Sequence, residues 1–125
     1  MDRQCPTLTT VLNAVTATTT SAAQACKNAV KISLYFTRAD HGSGNTVFSV
    51  SVSGDDSTYI TYNKLITNTA NTNAQDLTRV ASVTLSSDTT SMVSLDLQDD
   101  VISSFKVIAT ETTDGTHTCK ALTEY

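Results

Sequence analysis

Tryptophan is absent from this chain, proline occurs once and glycine four times in 125 residues. Charged residues make up only 16% and aromatics 6%. Each shortage excludes something. No run approaches the roughly 20 consecutive apolar residues that a helix needs to cross a bilayer. Lys and Arg number 8 against 12 Asp and Glu, a formal charge of −4, and the cations are scattered. Without a basic stripe to displace counterions, neither nucleic acid nor an anionic membrane surface is expected as a partner. The chain has no Walker loop, no Gly-x-Ser-x-Gly elbow and no His-Glu-x-x-His pair. An enzyme is not expected, and nothing calls for a cofactor.

The three cysteines, Cys5, Cys26 and Cys119, are odd in number and show no Cys-x-x-Cys spacing. Secreted domains stapled by disulfides favour even sets, and structural zinc favours closer pairs. Cys26 and Cys119 are expected as small apolar residues on or near strands. A Cys26–Cys119 bridge between the first and last strands is the alternative. The opening Met1-Asp-Arg-Gln-Cys-Pro6 has no apolar core of the signal-peptide kind. Together these features point to folding in a reducing cytoplasm.

What the chain does have is hydroxyl. Threonine and serine supply 38 residues, and the branched threonine Cβ packs well on a pleated surface. Period-2 alternation begins near Val30. Val30, Ile32, Leu34 and Phe36 alternate with polar neighbours, as do Phe48, Val50 and Val52. Tyr59–Tyr62, continued by Lys64–Thr67, gives another extended segment. Further strands are expected with Ala81, Val83 and Leu85, with Val93, Leu95 and Leu97, and with Phe105, Val107 and Ala109 facing inward. His117–Leu122 is the last, with His117 expected exposed. Gly54-Asp55-Asp56 and Thr113-Asp-Gly-Thr116 read as hairpin turns, the latter of type I′. Asn68–Asp76 reads as a loop.

About eight short strands without an intervening amphipathic helix predict an all-β fold, a two-sheet antiparallel β-sandwich or jelly-roll spanning 21–125. Residues 1–20 stand apart. Leu8, Val11, Leu12 and Val15 fit a helical face, and Val11 and Val15 also fit a strand face. The surrounding threonines favour the extended form, because β-branched residues lose rotamer freedom in a helix. An N-terminal arm or edge strand is expected here. Leu8, Val11, Leu12 and Val15 are its candidate assembly-interface residues, each worth about 1.5–3 kcal/mol if fully covered.

Three constellations invite chemistry. Asp40, His41 and Ser43 carry the groups of a hydrolytic triad, but adjacent side chains on extended backbone point apart. A loop in which Asp40 accepts local hydrogen bonds is the expected reading. Asp96, Asp99 and Asp100 are weak metal candidates for a hard cation such as calcium, although no EF-hand spacing surrounds them. Tyr59 and Tyr62, with Tyr35, are candidates for glycan contact on a sheet face, a platform weakened by the absence of tryptophan.

Leu34–Tyr59, with its Phe-Thr-Arg-Ala-Asp-His-Gly-Ser-Gly-Asn-Thr core, resembles small proteins of tailed bacteriophages. The likeness continues through Tyr62–Ile66, Asn71–Gln75, Leu77–Leu85 and Thr112–Thr116, so it covers roughly residues 30–118. Such proteins are β-sandwich virion components, some with a discoidin-like layout, and several decorate capsids or sit at fibre bases. The resemblance implies a capsid decoration or cement protein that folds in the host cytoplasm. Its expected partners are the major capsid protein, other virion proteins and further copies of itself. A carbohydrate-binding or host-adhesion module is the alternative.

Overall fold

The computed structural model describes residues 7–67, 78–98 and 100–125. Cys5, the Asn68–Asp76 loop and Asp99 lie outside them. The described residues form twelve strands, in order β1 (Thr7–Val15), β2 (Thr19–Thr20), β3 (Gln24–Ala25), β4 (Lys31–Ala39), β5 (Thr46–Ser53) and β6 (Ile60–Thr61). The second half supplies β7 (Leu65–Thr67), β8 (Thr78–Val80), β9 (Ser82–Leu85), β10 (Thr89–Ser94), β11 (Ser104–Glu111) and β12 (Thr116–Glu124). They form two antiparallel six-stranded sheets, and the protein is an all-β sandwich. The first sheet runs β1-β12-β4-β10-β7-β8. The second has β11 and β5 at its centre, with β2 and β3 along the outer side of β11 and β6 and β9 along the outer side of β5.

The alternation seen in the sequence fills the space between the sheets. Ile32, Leu34 and Phe36 of β4 face Phe48, Val50 and Val52 of β5, and Phe105, Val107 and Ala109 of β11 join them in one buried cluster. Phe36 and Phe48 stack across the sandwich with ring centroids 4.6 Å apart and planes 6° from parallel. Truncating either ring in such a core costs about 3–5 kcal/mol. Val30, by contrast, lies outside the core and is largely exposed.

Several turns differ from the expectation. Gly54–Tyr59 does join neighbouring strands, since β5 pairs with β6 through Ser51–Thr61 and Val52–Ile60. Thr112–Gly115 joins no hairpin: β11 belongs to one sheet and β12 to the other. Gly115 has φ of +124° while Asp114 is not left-handed, so the type I′ assignment fails as well. The Asp40–Asn45 loop likewise carries the chain from β4 in one sheet to β5 in the other. The extra strands arise from two-residue pairings and from splitting. Ile60–Thr61 and Leu65–Thr67 lie in different sheets, and the run from Thr78 to Leu85 divides at Ala81 in the same way.

β1 is an edge strand of the first sheet. It pairs with β12 from Thr7–Thr123 to Val15–His117, with register shifts either side of Leu12. Ala14 there has φ of +51°, the signature of a bulged strand. Leu12 is only 3% exposed and packs in the protein's own core, Val11 and Val15 are half-buried, and Leu8 is 60% exposed. Leu12 is thus removed from the candidate assembly interface.

Candidate functional site

Two polar clusters sit at opposite ends of the sandwich. At one end the β4–β5, β9–β10 and β11–β12 connections converge on Arg38. Continuing the inward series Ile32, Leu34, Phe36 by two residues puts this arginine in the interior, where it is 1% exposed. Its guanidinium donates to the carbonyls of Ser43 (2.8 Å), Gly44 (2.8 Å), Leu85 (3.1 Å) and Asp114 (2.9 Å). The Asp114 carboxylate lies 3.7 Å away and accepts from the Gly42 and Ser43 amides. Those two amides hold its carboxyl below the usual carboxylate range, ahead of the Arg38 charge. A buried cation that meets four carbonyls fixes three crossing loops at once.

His117 extends this cluster. It is fully buried, which corrects the expectation of an exposed strand residue. Alternation along β12 explains it, because His117 shares a face with buried Cys119 and Ala121. Nδ1 lies 3.0 Å from the Thr46 hydroxyl and Nε2 lies 3.3 Å from a Glu111 carboxylate oxygen. The ring meets Phe48 edge-on at 6.4 Å. Only His117 was expected outside, and Arg38 was assigned no place; the period-2 alternation is the signal that points both inward.

The triad-like residues diverge. Asp40 accepts from the Thr116 hydroxyl at 3.3 Å. His41 pairs with Asp88 on the β9–β10 turn, which holds the Asp88 carboxyl below its ordinary range. Ser43 gives its carbonyl to Arg38. No shared reacting point joins them.

At the other end lies a cleft of about 510 Å³ between the Gly54–Tyr62 segment and Asp100–Ile102. Its rim carries two strongly exposed apolar side chains, Ile60 at 64% and Val101 at 95%. Tyr62 forms part of the wall but is itself only 5% exposed. Its hydroxyl donates to Asp100 (3.0 Å) and accepts from the Asp96 amide (2.9 Å). Burial pushes the Tyr62 phenol up to about 12, so it stays protonated at neutral pH. Asp100 also binds the Lys64 ammonium at 2.9 Å, and Asp96 binds Arg79 at 2.8 Å.

These contacts settle where the candidate metal and glycan residues stand. Asp96 and Asp100 each face a cation supplied by the chain itself, and Asp99 lies outside the described residues. Among the described residues, no three His, Cys, Asp or Glu side chains come together as metal ligands. The tyrosines share no face. Tyr62 belongs to the core, and Tyr35 lies on the outer face of the first sheet. Tyr59 packs on the second sheet beneath Lys106, 4.2 Å from its centroid, with its hydroxyl 2.8 Å from that of Ser104. They form no joint stacking platform.

Cys26 and Cys119 are both free thiols and both buried. Burial raises the Cys119 thiol to about 12; burial, helped by the nearby Asp56 charge, raises Cys26 to about 11. Neither is a thiolate nucleophile at neutral pH. In comparisons with protein-family models, curated proteins and solved structures, nothing matches this chain.

Proposed function

We propose that this protein is a bacteriophage virion structural protein, a decoration or cement component that docks on the outer capsid shell. The observation that carries this reading is the outer face of the first sheet. Met92, Tyr35 and Lys120 occupy one cross-strand row ending at Thr10, and Ser94, Ser33 and Leu122 occupy the next, ending at Leu8. Exposed Met92 and Leu8 with half-buried Tyr35 and Leu122 make a mixed apolar and polar surface on rigid strands. Such a surface suits docking on another protein. The buried arginine and histidine clamp the loops, which favours a rigid presenter of shape. The resemblance drawn from the sequence of residues 30–118 suggests the same role.

A modest interface suffices for such a protein. Copies repeated over a symmetric shell, or joined to each other, gain retention through effective concentration. Folding in the host cytoplasm accords with two free buried thiols. Electron microscopy of purified particles should show symmetric density for the chain at the outer shell. Met92→Glu with Tyr35→Glu should lower occupancy at least tenfold without altering the fold. Density absent from particles, with the protein confined to the soluble fraction, would refute the proposal.

A further inference from the structure

The sheet edges differ sharply. Sheet edges expose unpaired backbone N–H and C=O groups, and soluble proteins blunt them with charge, proline, bulges or brevity. β2, β3 and β6 have two residues each, β8 has three and carries Arg79, and β9 has four. β1 has nine residues, Thr-Leu-Thr-Thr-Val-Leu-Asn-Ala-Val, with neither charge nor proline. Its outer side has no strand partner among the described residues. The register shifts between Thr10 and Leu12 and between Leu12 and Val15 spoil pairing further along, which leaves Thr7–Thr10 as the regular segment.

We propose that two copies of this chain join antiparallel along this edge, with a two-fold axis through the Thr9 pair, making one continuous sheet across both molecules. The occupant is a second copy because the strand complements itself. The net charge of −4 opposes self-association in general, yet β1 brings no charge to the contact. In the Thr9-centred register Thr9 meets its own copy and Leu8 pairs with the partner's Thr10. The outer-face row then reads Leu122, Leu8, the partner's Thr10 and the partner's Lys120. That sets the partner's Thr10 beside exposed Leu8, with the aliphatic stem of the partner's Lys120 one strand further along the row. The inference deepens the assembly role proposed above, and it concerns the isolated protein, so particle attachment and dimer formation are read separately.

Sedimentation equilibrium from about 5 to 500 µM tests it, a range that reaches the weak association expected of so small an interface. The parent should dimerise. Thr9→Lys and Thr9→Glu each place like charges face to face across the axis and should weaken the dimer at least tenfold. An equimolar mixture of the two should dimerise again, since opposite charges then meet. Thermal unfolding checks that each variant is folded; Thr9→Arg, at the same exposed position on the axis, replaces Thr9→Lys if that variant is not. A parent monomeric throughout the range overturns the proposal. So does a dimer that the lysine variant leaves within twofold, or a mixture that stays monomeric. Absence of the parent protein from particles, with the dimer intact, refutes only the virion reading.

Discussion

Replacing Arg38 by methionine removes the guanidinium but keeps most of the stem, and its consequence can be worked from the contacts. Four hydrogen bonds to carbonyls disappear. Bonds to a charged group contribute about 1.5–3 kcal/mol each, so simple addition gives roughly 6–12 kcal/mol. Two effects reduce that sum. The Ser43, Gly44 and Asp114 carbonyls belong to partly buried loop contacts and regain water when the arginine is gone, whereas the Leu85 bond is buried. Restoring an apolar side chain also relieves the cost of holding a cation out of water, to which one unpartnered Nε atom contributes. The expected loss is about 3–5 kcal/mol, set against a total stability of roughly 5–15 kcal/mol for a domain of this kind.

Urea unfolding followed by circular dichroism measures this directly. The midpoint should fall while the slope stays constant, because the surface exposed on unfolding is unchanged. On heating, the transition should drop by about 10–20 °C. Arg38→Lys should fall between, since an ammonium with three donors cannot span four separated carbonyls. A methionine variant within about 1 kcal/mol of the parent would refute the idea that this arginine holds the crossing loops together.

Three further outcomes are expected. Asp55 is held down at about 2 against an ordinary 3.8 by the Thr58 and Ser57 amides and the Ser53 hydroxyl. Its contribution is therefore present above about pH 4 and lost as pH falls toward 2, and Asp55→Asn should flatten that part of the stability–pH curve. An unchanged acid limb would count against it. In a Cys5→Ser background, Ellman's reagent at pH 8 should find Cys26 and Cys119 unreactive until urea is added, because only about one thiol in a thousand or fewer is ionised. Rapid labelling of the native protein would contradict their burial. Gly115→Ala should destabilise by about 1–3 kcal/mol, since its left-handed φ strains any Cβ; that atom would also sit 3.0 Å from Arg38 Nε and 3.1 Å from His117 Cε1. An equally stable alanine variant would show that this connection yields easily.

The sequence by itself determined the β character and much of the inner face. Ile32, Leu34 and Phe36, Phe48, Val50 and Val52, and Phe105, Val107 and Ala109 are all buried in the positions that their alternation assigns them. Alternation is local physics, set by a backbone that points successive side chains to opposite faces. It therefore survives without knowledge of the fold. Pairing does not. Whether Asp40–Asn45 or Thr112–Gly115 closes a hairpin or crosses between sheets depends on which strands lie beside it, and those contacts join residues far apart in the chain. Two-residue strands such as Ile60–Thr61 show no period at all and exist only because β5 offers them an edge.

The polar interior was hidden for the same reason. Arg38 and His117 occupy inward positions of strands whose other inward residues are apolar, and composition alone places such residues at the surface. Only the folded chain supplies what makes their burial tolerable: three loop carbonyls and that of Leu85 at the end of β9 for the arginine, and Thr46 and Glu111 for the histidine. Likewise the strand preference of the first described residues could be read from their threonines, but the burial of Leu12 and the exposure of Leu8 were decided by the bulged register against β12. Side-chain alternation is written into neighbouring residues; partners for buried charge, and the open edge of a sheet, come into being only when distant strands meet.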